Sequence, residues 1–214
     1  MAVPPCIIAI AGPSGSGKTL FAQTLCEEVQ RAEPDIGLVL INEDAYYRDQ
    51  RHLPLAERER VNYDHPAAIE QELLEEHLGK LRAGQHVDSP LYDYTVHTRR
   101  AETLELESAP VIIVEGILLL CNAALRKRFD IKFYMDTPLD ICLLRRIERD
   151  VRERGRSVDS VSAQYHESVR PMYHEFIQPS AAHADMVITG GGRNRVALDI
   201  VRDMVLGMLR DSRS

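Results

Sequence analysis

Apolar residues arrive along this chain in short unbroken runs, separated by longer stretches in which they recur every three or four positions. Cys6–Ala11 (CIIAIA) is continuously apolar, as a strand covered on both faces requires. Residues 12–17 interrupt it with glycines, and Lys18–Ala32 then spaces Leu20, Leu25 and Val29 along the buried side of a predicted helix, ended by Glu33-Pro34-Asp35. Residues 37–42 (GLVLIN) form a second buried-strand run that stops at Glu43-Asp44. Residues 66–83 predict a helix with Ile69, Leu73, Leu74, Leu78 and Leu81 in one stripe. Residues 111–114 and 130–135 repeat the buried-strand pattern and end at Glu115-Gly116 and at Asp136-Thr137-Pro138. The fixed φ and missing donor of Pro138 suit the first turn of a following helix, with Asp136 read as its cap. A fifth strand over 184–188 and a closing helix over 194–209 complete the pattern.

Strands alternating with helices need cover on both faces, which predicts a three-layer α/β fold around a parallel sheet. Two stretches depart from it. Residues 45–66 carry charges and aromatics without a sustained period, and 85–106 is polar and aromatic, ending in an alternating TLEL that predicts one or two small antiparallel strands.

The glycines after the first strand belong to Gly12-Pro13-Ser14-Gly15-Ser16-Gly17-Lys18-Thr19, which matches GxxxxGK[ST] between a buried strand and a helix. Glycines let successive amides turn inward as a nest for phosphate oxygens. The helix N-terminus adds aligned partial positive charge. Lys18 reaches the outer phosphates and the Thr19 hydroxyl coordinates Mg²⁺ in such loops. The motif therefore predicts a nucleoside triphosphate site, for ATP or GTP with Mg²⁺, in a phosphotransferase.

Chemistry in an open α/β sheet sits beyond the carboxyl ends of its strands. Asp44 and Glu115 both fall there. Mg²⁺ prefers hard oxygen ligands, so one carboxylate suits the metal while the other deprotonates an attacking hydroxyl. Further on, Arg145, Arg146, Arg149, Arg152, Arg154 and Arg156 crowd one short segment. On a helix 145, 149, 152 and 156 share roughly one face with 146 beside it, while Glu148, Asp150 and Glu153 between them are also the pattern of a solvated, salt-bridged surface. Guanidinium forks match phosphate geometry, and Gly155 reads as a hinge, so residues 145–165 are expected to form a lid that excludes water. Arg149, Arg154 and Arg156 are its phosphate-contacting group.

With 214 residues the chain is expected to form a single domain, in which 45–66 and 85–106 are acceptor-side insertions. A formal charge of −7 argues against a broad nucleic-acid surface. Four cysteines without a CxxC pair read as reduced thiols of a cytosolic protein. No segment reaches the roughly 18 apolar residues of a membrane helix.

Three segments offer an acceptor pocket: Asn62-Tyr63-Asp64-His65-Pro66, Pro90-Leu91-Tyr92-Asp93-Tyr94 with His97, and Gln164-Tyr165. Together with NEDAYYRD, NYDHP, PLYDYTVHTR, VIIVEGILLL, RRIERDVRERGRSVDSVSAQY and VRPMYHEFIQP, they resemble the uridine kinase (uridine–cytidine kinase) family, in the broader group that includes phosphoribulokinase, over about residues 7–205. The resemblance implies ATP·Mg²⁺-dependent phosphorylation of the 5′-hydroxyl of uridine and cytidine to UMP and CMP in pyrimidine salvage. It implies Asp44 as general base and metal neighbour, with Thr19 and Glu115 completing the metal surroundings. Asp64, Arg146 and Gln164 would hold the ribose, Tyr92 and His97 the pyrimidine, and Arg149, Arg154 and Arg156 the triphosphate. It further implies a cytoplasmic homo-oligomer, commonly a tetramer, inhibited by pyrimidine triphosphates. Pro13 and Gly15 depart from the family's GG-S/T-A-SGK, and ITGGGRN replaces IPRG-x-x-N, placing Gly190 where an arginine is usual. His97 in place of a bulkier tyrosine favours both nucleosides. A kinase of the same group acting on a sugar phosphate or pantothenate, and a nucleotide-dependent switch, are the alternatives.

Overall fold

The computed structural model describes residues 4–35 and 37–211. In chain order the elements are β1 (Cys6–Ala11), α1 (Lys18–Ala32), β2 (Leu38–Asn42), a 3₁₀ turn (Glu43–Tyr46), α2 (Leu55–Arg58), a 3₁₀ turn (Pro66–Ala68) and α3 (Gln71–Arg82). There follow β3 (Val87–Asp93), β4 (Thr98–Leu106), β5 (Val111–Gly116), α4 (Ala123–Arg126), β6 (Ile131–Asp136), α5 (Leu139–Arg154), α6 (Val158–Gln164), β7 (Met186–Thr189) and a C-terminal helix (Arg195–Asp211).

Five strands form one parallel sheet in the order β2-β5-β1-β6-β7, and β3-β4 make a separate antiparallel hairpin. Side chains alternate along each buried strand, so the unbroken apolar runs serve two cores. Ile7, Ala9, Ala11, Ile112 and Val114 face α3 through Leu74, Leu78 and Leu81. Ile8, Ile10, Ile113 and Phe133 face α1 and the C-terminal helix through Phe21, Leu25, Val29, Val201 and Val205. Each such leucine, isoleucine, valine or phenylalanine contributes about 1.5–3 kcal/mol through its burial. The register pairs Ile10 with Glu115, Ala11 with Gly116, and Asn42 with Glu115. The carboxyl ends of β1, β2 and β5 therefore lie abreast. The chain leaves β1 toward β2 on one side and later returns to β6 on the other, so the crevice opens at β1.

Three local expectations change, and a segment for which none was made proves helical. The helix expected over 66–83 begins at Gln71. Ahead of it, His65 Nδ1 accepts from the Ala67 amide, and residues 68–70 pair with 46–48: Arg48 N donates to Ala68 O, Glu70 N to Tyr46 O, and Tyr47 bridges Ile69. Ile69 is buried from an extended segment rather than from a helical stripe. Leu20 is 43% exposed, because the first turn of α1 opens on the crevice; Phe21 takes the buried position beside Leu25 and Val29. No side chain caps α5 and Pro138 is its N-cap, while the Thr137 hydroxyl donates to Ser16 O, so Asp136 is not the cap. Finally, the helix after α5 continues past Gln164 through π turns at Tyr165–Val169 and Tyr173–Ile177 to Ser180. Each π turn ends two residues before a proline, Pro171 or Pro179, widening the coil where the ring would otherwise strike the preceding turn.

Candidate active site

The loop after β1 takes its shape from three glycines at positive φ: Gly12 (143°), Gly15 (84°) and Gly17 (95°). A Cβ on Gly12 would lie 2.7 Å from Met135 O, and one on Gly17 2.6 Å from Gly192 N; one on Gly15 would overlap Cys142 O. Both backbone conformation and space thus demand glycine. Ser16 N donates to Pro13 O at 3.0 Å, closing the turn over buried Pro13. Ser14 Oγ accepts from Arg146 Nη1 at 3.1 Å. The loop delivers Lys18 and Thr19, the first residues of α1, to the sheet edge.

There they meet Glu115. Thr19 Oγ1 donates to Glu115 Oε1 at 3.0 Å, and Lys18 Nζ lies 4.0 Å from Oε2. Burial pushes the Glu115 carboxyl above its usual range, Lys18 pulls it down, and the Asp44 charge raises it again. Asp44 is set by its backbone: its amide donates to Asn42 Oδ1 at 2.8 Å, capping the turn after β2. Its Oδ2 accepts from the Tyr94 hydroxyl at 3.0 Å. The Thr19 hydroxyl and the Asp44 and Glu115 carboxylates offer hard oxygens at one edge, which suits Mg²⁺. Among the described residues no three of His, Cys, Asp and Glu gather as a self-sufficient metal cage. Mg²⁺ is ordinarily shared in this way between one or two carboxylates, phosphate oxygens and water.

Glu43, one residue before Asp44, is fully buried. Its Oε2 accepts from the Leu118 amide at 2.8 Å, and Gly116 leaves the space it occupies. Among the described residues Oε1 has no hydrogen-bond partner. Burial pushes this carboxyl up to about 8.

Next to the loop, which Arg146 touches through Ser14, Asp64 and Arg146 are 4% and 7% exposed, with Asp64 Oδ1 4.0 Å from Arg146 Nη1. Burial raises the Asp64 carboxyl and Arg146 opposes the shift. Arg146 Nη2 donates to Gln164 Oε1 at 2.9 Å. Beside them stands an aromatic group. Tyr63 stacks on His97 at 5.5 Å and 24°, and Tyr47 lies 5.1 Å from both Tyr63 and Tyr92. His97 sits at φ 50°, the one positive φ outside glycine among the described residues, and burial holds its imidazole below the usual range. Tyr47 was not among the residues singled out from sequence; its place in NEDAYYRD, directly after Tyr46, gives no sign of which ring faces the crevice.

The arginine segment differs from its helical-wheel expectation. Arg146 and Asp150 are the buried charges of α5, and Arg152 stays out of the crevice. Gly155 ends the helix at φ 63°, so Arg156 lies past the helical face. Arg145 Nη1 reaches Gly15 O and Ser16 O, each at 3.3 Å, beneath the phosphate loop. Arg154 rests its guanidinium 4.6 Å above the Tyr94 ring. Asp150, which the spacing placed among solvated acids, has no exposed surface and is ringed by arginines.

A single crevice of about 1090 Å³ receives Ser14, Gly15, Gly17, Lys18, Thr19, Asp44, Asp64, Tyr92, His97, Glu115, Arg146, Arg149, Arg154, Arg156 and Gln164. Of the residues expected at the site, Gly12, Pro13 and Ser16 lie buried behind its wall. Gly192 abuts Gly17, so the ITGGGRN segment packs against the loop from the side of Leu20 and Arg145.

Comparison with known proteins adds a family to this geometry. The family described as Phosphoribulokinase / Uridine kinase matches residues 7–197. The uridine kinases of Erwinia tasmaniensis and of Yersinia pestis are 53% and 54% identical over 196 residues, 92% of this chain and 92% of theirs. Among solved structures, phosphoribulokinase from Rhodobacter spheroides superposes with a TM-score of 0.66 at 18% identity, covering 87% of this chain and 70% of that one. D-glycerate 3-kinase from Cryptococcus neoformans does so at 0.65 and 17%, covering 87% and 86%. These distant neighbours share the P-loop kinase fold, with its parallel sheet between helices, and the sequence relatives narrow the choice within it. The chain belongs to the phosphoribulokinase/uridine kinase family.

Proposed function

We propose that this protein is a nucleoside kinase that transfers the γ-phosphate of ATP to the 5′-hydroxyl of uridine and cytidine. The observation that carries the reading is one crevice with two unlike parts. The glycine loop with Lys18, Thr19 and Glu115 forms one part, and the buried Asp64–Arg146 pair, joined to the loop at Ser14, forms the other with its aromatic wall. The relatives named uridine kinase supply the acceptor class.

In this mechanism the loop amides and Lys18 hold the polyphosphate. Asp64, Arg146 and Gln164 hold the ribose hydroxyls, and Tyr92 and His97 read the pyrimidine edge. Asp44 takes the proton of the 5′-hydroxyl as its oxygen attacks the γ-phosphorus and the bond to the ADP oxygen breaks. Arg149, Arg154 and Arg156 offset charge on the transferring oxygens, the largest contribution expected for this chemistry. Thr19, Asp44 and Glu115 would hold Mg²⁺, which when bound neutralises phosphate charge. The reading extends to a cytoplasmic homo-oligomer, a tetramer, serving pyrimidine salvage without nucleic-acid or membrane partners. Among the described residues no helix is long and apolar enough to cross a membrane.

ADP release measured with uridine, cytidine, ribulose 5-phosphate and pantothenate, each with ATP or GTP, tests the reading. Turnover with the two nucleosides alone is expected. Turnover with ribulose 5-phosphate or pantothenate instead, or nucleotide binding with no acceptor-dependent ADP, overturns it.

A further inference from the structure

Asp150 is the most heavily engaged carboxylate near the crevice. Its side chain is wholly buried, yet five guanidinium nitrogens approach it. The two oxygens divide them. Oδ1 takes Arg149 through Nε at 2.9 Å and Nη2 at 2.8 Å, and Arg154 Nη1 at 3.4 Å. Oδ2 faces Arg156 Nη1 at 3.5 Å and Arg146 Nε at 3.8 Å. Arg146 and Arg156 also share Gln164 Oε1, at 2.9 and 2.5 Å. Asp150 O accepts from the Gly155 and Arg156 amides, so the residue that collects the arginines also fixes where the chain turns after α5.

We propose that Asp150 is a positioning residue that couples the donor and acceptor parts of the crevice through its two oxygens. This rests on the assignment of Arg149, Arg154 and Arg156 to the triphosphate and Arg146 to the acceptor. Four like charges cannot stay within reach of one another without a shared counter-ion, and Asp150, even with Asp64 beside Arg146, leaves about half of that charge unbalanced. An incoming triphosphate supplies the balance. As its oxygens draw Arg149, Arg154 and Arg156 away, the whole carboxylate charge becomes available to Arg146. Arg146 is thereby held against Asp64 and Gln164 for the acceptor. Donor binding then strengthens acceptor binding, with no need for the two ligands to touch.

Electrostatics alone predicts the opposite of positioning when the charge is removed. Deleting a negative charge beside an anion site should tighten ATP binding, whereas loss of the organising group should weaken it. Two variants separate these. Asp150→Asn keeps the shape and removes the charge. Asp150→Glu keeps the charge and displaces it by about one C–C bond, ~1.5 Å, a misplacement of the size that costs on the order of 10²-fold in rate.

The experiment measures the affinity of uridine with and without a non-hydrolysable ATP analogue by titration calorimetry, together with kcat and KM for both substrates and the melting temperature. The wild-type enzyme is expected to bind uridine several-fold more tightly with the analogue present, and both variants to lose that enhancement. Both should lower kcat/KM at least tenfold, at temperatures well below their melting points. Tighter analogue binding by Asp150→Asn with normal kinetics in Asp150→Glu would assign the effect to charge and overturn the proposal. Lowered melting temperatures with unchanged coupling would reduce Asp150 to a structural residue and overturn it equally. If Asp150→Asn does not fold, Asp150→Glu and the wild-type coupling decide, since absence of coupling in the wild type refutes the idea by itself. Wild-type protein that neither binds nor phosphorylates uridine would instead refute the functional reading, which the wild-type arm alone reports.

Discussion

Replacing Glu43 with Gln tests how the sheet edge is built around a carboxyl that the fold holds away from water. Burial shifts this group from 4.5 to about 8, opposed by the Leu118 amide and assisted by the charges of Asp44 and Glu115. A carboxyl raised in the folded state binds a proton that the unfolded chain has already released. Its contribution to stability is therefore fully present below pH 4.5 and is lost progressively as pH rises toward 8, beyond which it changes no further. Each pH unit inside that window removes about 1.4 kcal/mol, so roughly 4 kcal/mol is lost between pH 5 and pH 8. Gln imitates the neutral acid, with its carbonyl placed to accept from Leu118 and its amide at the unpartnered Oε1 position. An amide there lacks a partner just as the acid does, so at pH 5 the variant should equal the wild type or fall slightly below it. By pH 8 the wild type carries the cost of holding its proton and the variant does not. Thermal melts of both proteins from pH 5 to 8.5 should show the difference, variant minus wild type, moving upward by about 10 °C, since 1 kcal/mol shifts a chain of this size by roughly 2–4 °C. The raised carboxyls of Asp64 and Glu115 remain in both proteins and largely cancel in that difference. A gap constant across pH, or one that moves downward, would refute the assignment of a proton to Glu43.

Asp44→Asn should lower kcat by roughly 10²–10⁴-fold, the range for loss of a positioned base. Its melting temperature should stay nearly unchanged because the capping bond from its amide to Asn42 does not use the side chain; a rate within tenfold of wild type removes the base. Gly17→Ala forces a Cβ at φ 95° within 2.6 Å of Gly192 N, so the KM for ATP should rise about tenfold or more, a loss of at least ~1.4 kcal/mol. Steady-state kinetics with unaltered KM would show that the loop tolerates the strain. His97→Ala removes the ring stacked on Tyr63 and should raise the KM for uridine and cytidine while leaving that for ATP within about twofold. Equal effects on both substrates, or none on either, would contradict its place on the acceptor side.

The sheet was legible because its central strands β1 and β5 are covered on both faces, so six-residue apolar runs such as Cys6–Ala11 have no competing explanation beside a glycine loop. Asp44 and Glu115 followed from it, since a polar residue ending such a run falls at the carboxyl edge of the sheet whatever the helices do. The aromatic and acidic segments around Asp64, Tyr92, His97 and Gln164 stood out as pocket candidates by residue type, but the individual roles proposed for them and for Arg146 came only through resemblance: nothing in their spacing reveals that they meet. Ile69 shows the limit of periodicity, for its apolar position fits a helical stripe, yet backbone pairing with residues 46–48 holds it extended. Glu43 and Asp150 were hidden for a related reason. Glu43 accepts from an amide 75 residues away, and Asp150 sits at ordinary i,i+4 spacing from arginines. On a sequence, such spacing describes a solvated helix as well as a buried one; only the covering of α5 by α6 and the crevice separates the two.

That burial bears on how a chain of net charge −7 gathers a polyanion. At physiological ionic strength charges are screened over about 8 Å. The acids on distant surfaces therefore matter little to a phosphate in the crevice, and the local arrangement decides. There Lys18 sits beside Glu115, and Arg149 and Arg154 beside Asp150, each cation held by a carboxylate that is itself almost fully buried. Cations paired in this way are aimed before the ligand arrives, which limits the side-chain entropy lost on binding, and low-dielectric surroundings strengthen their pull. The same pairing keeps an empty site from accumulating unopposed positive charge. Exchange of carboxylate for phosphate, rather than attraction into an open basic patch, is then the event that binding must accomplish. Ligands carrying too few phosphate oxygens to displace both partners should bind far more weakly than their charge alone predicts.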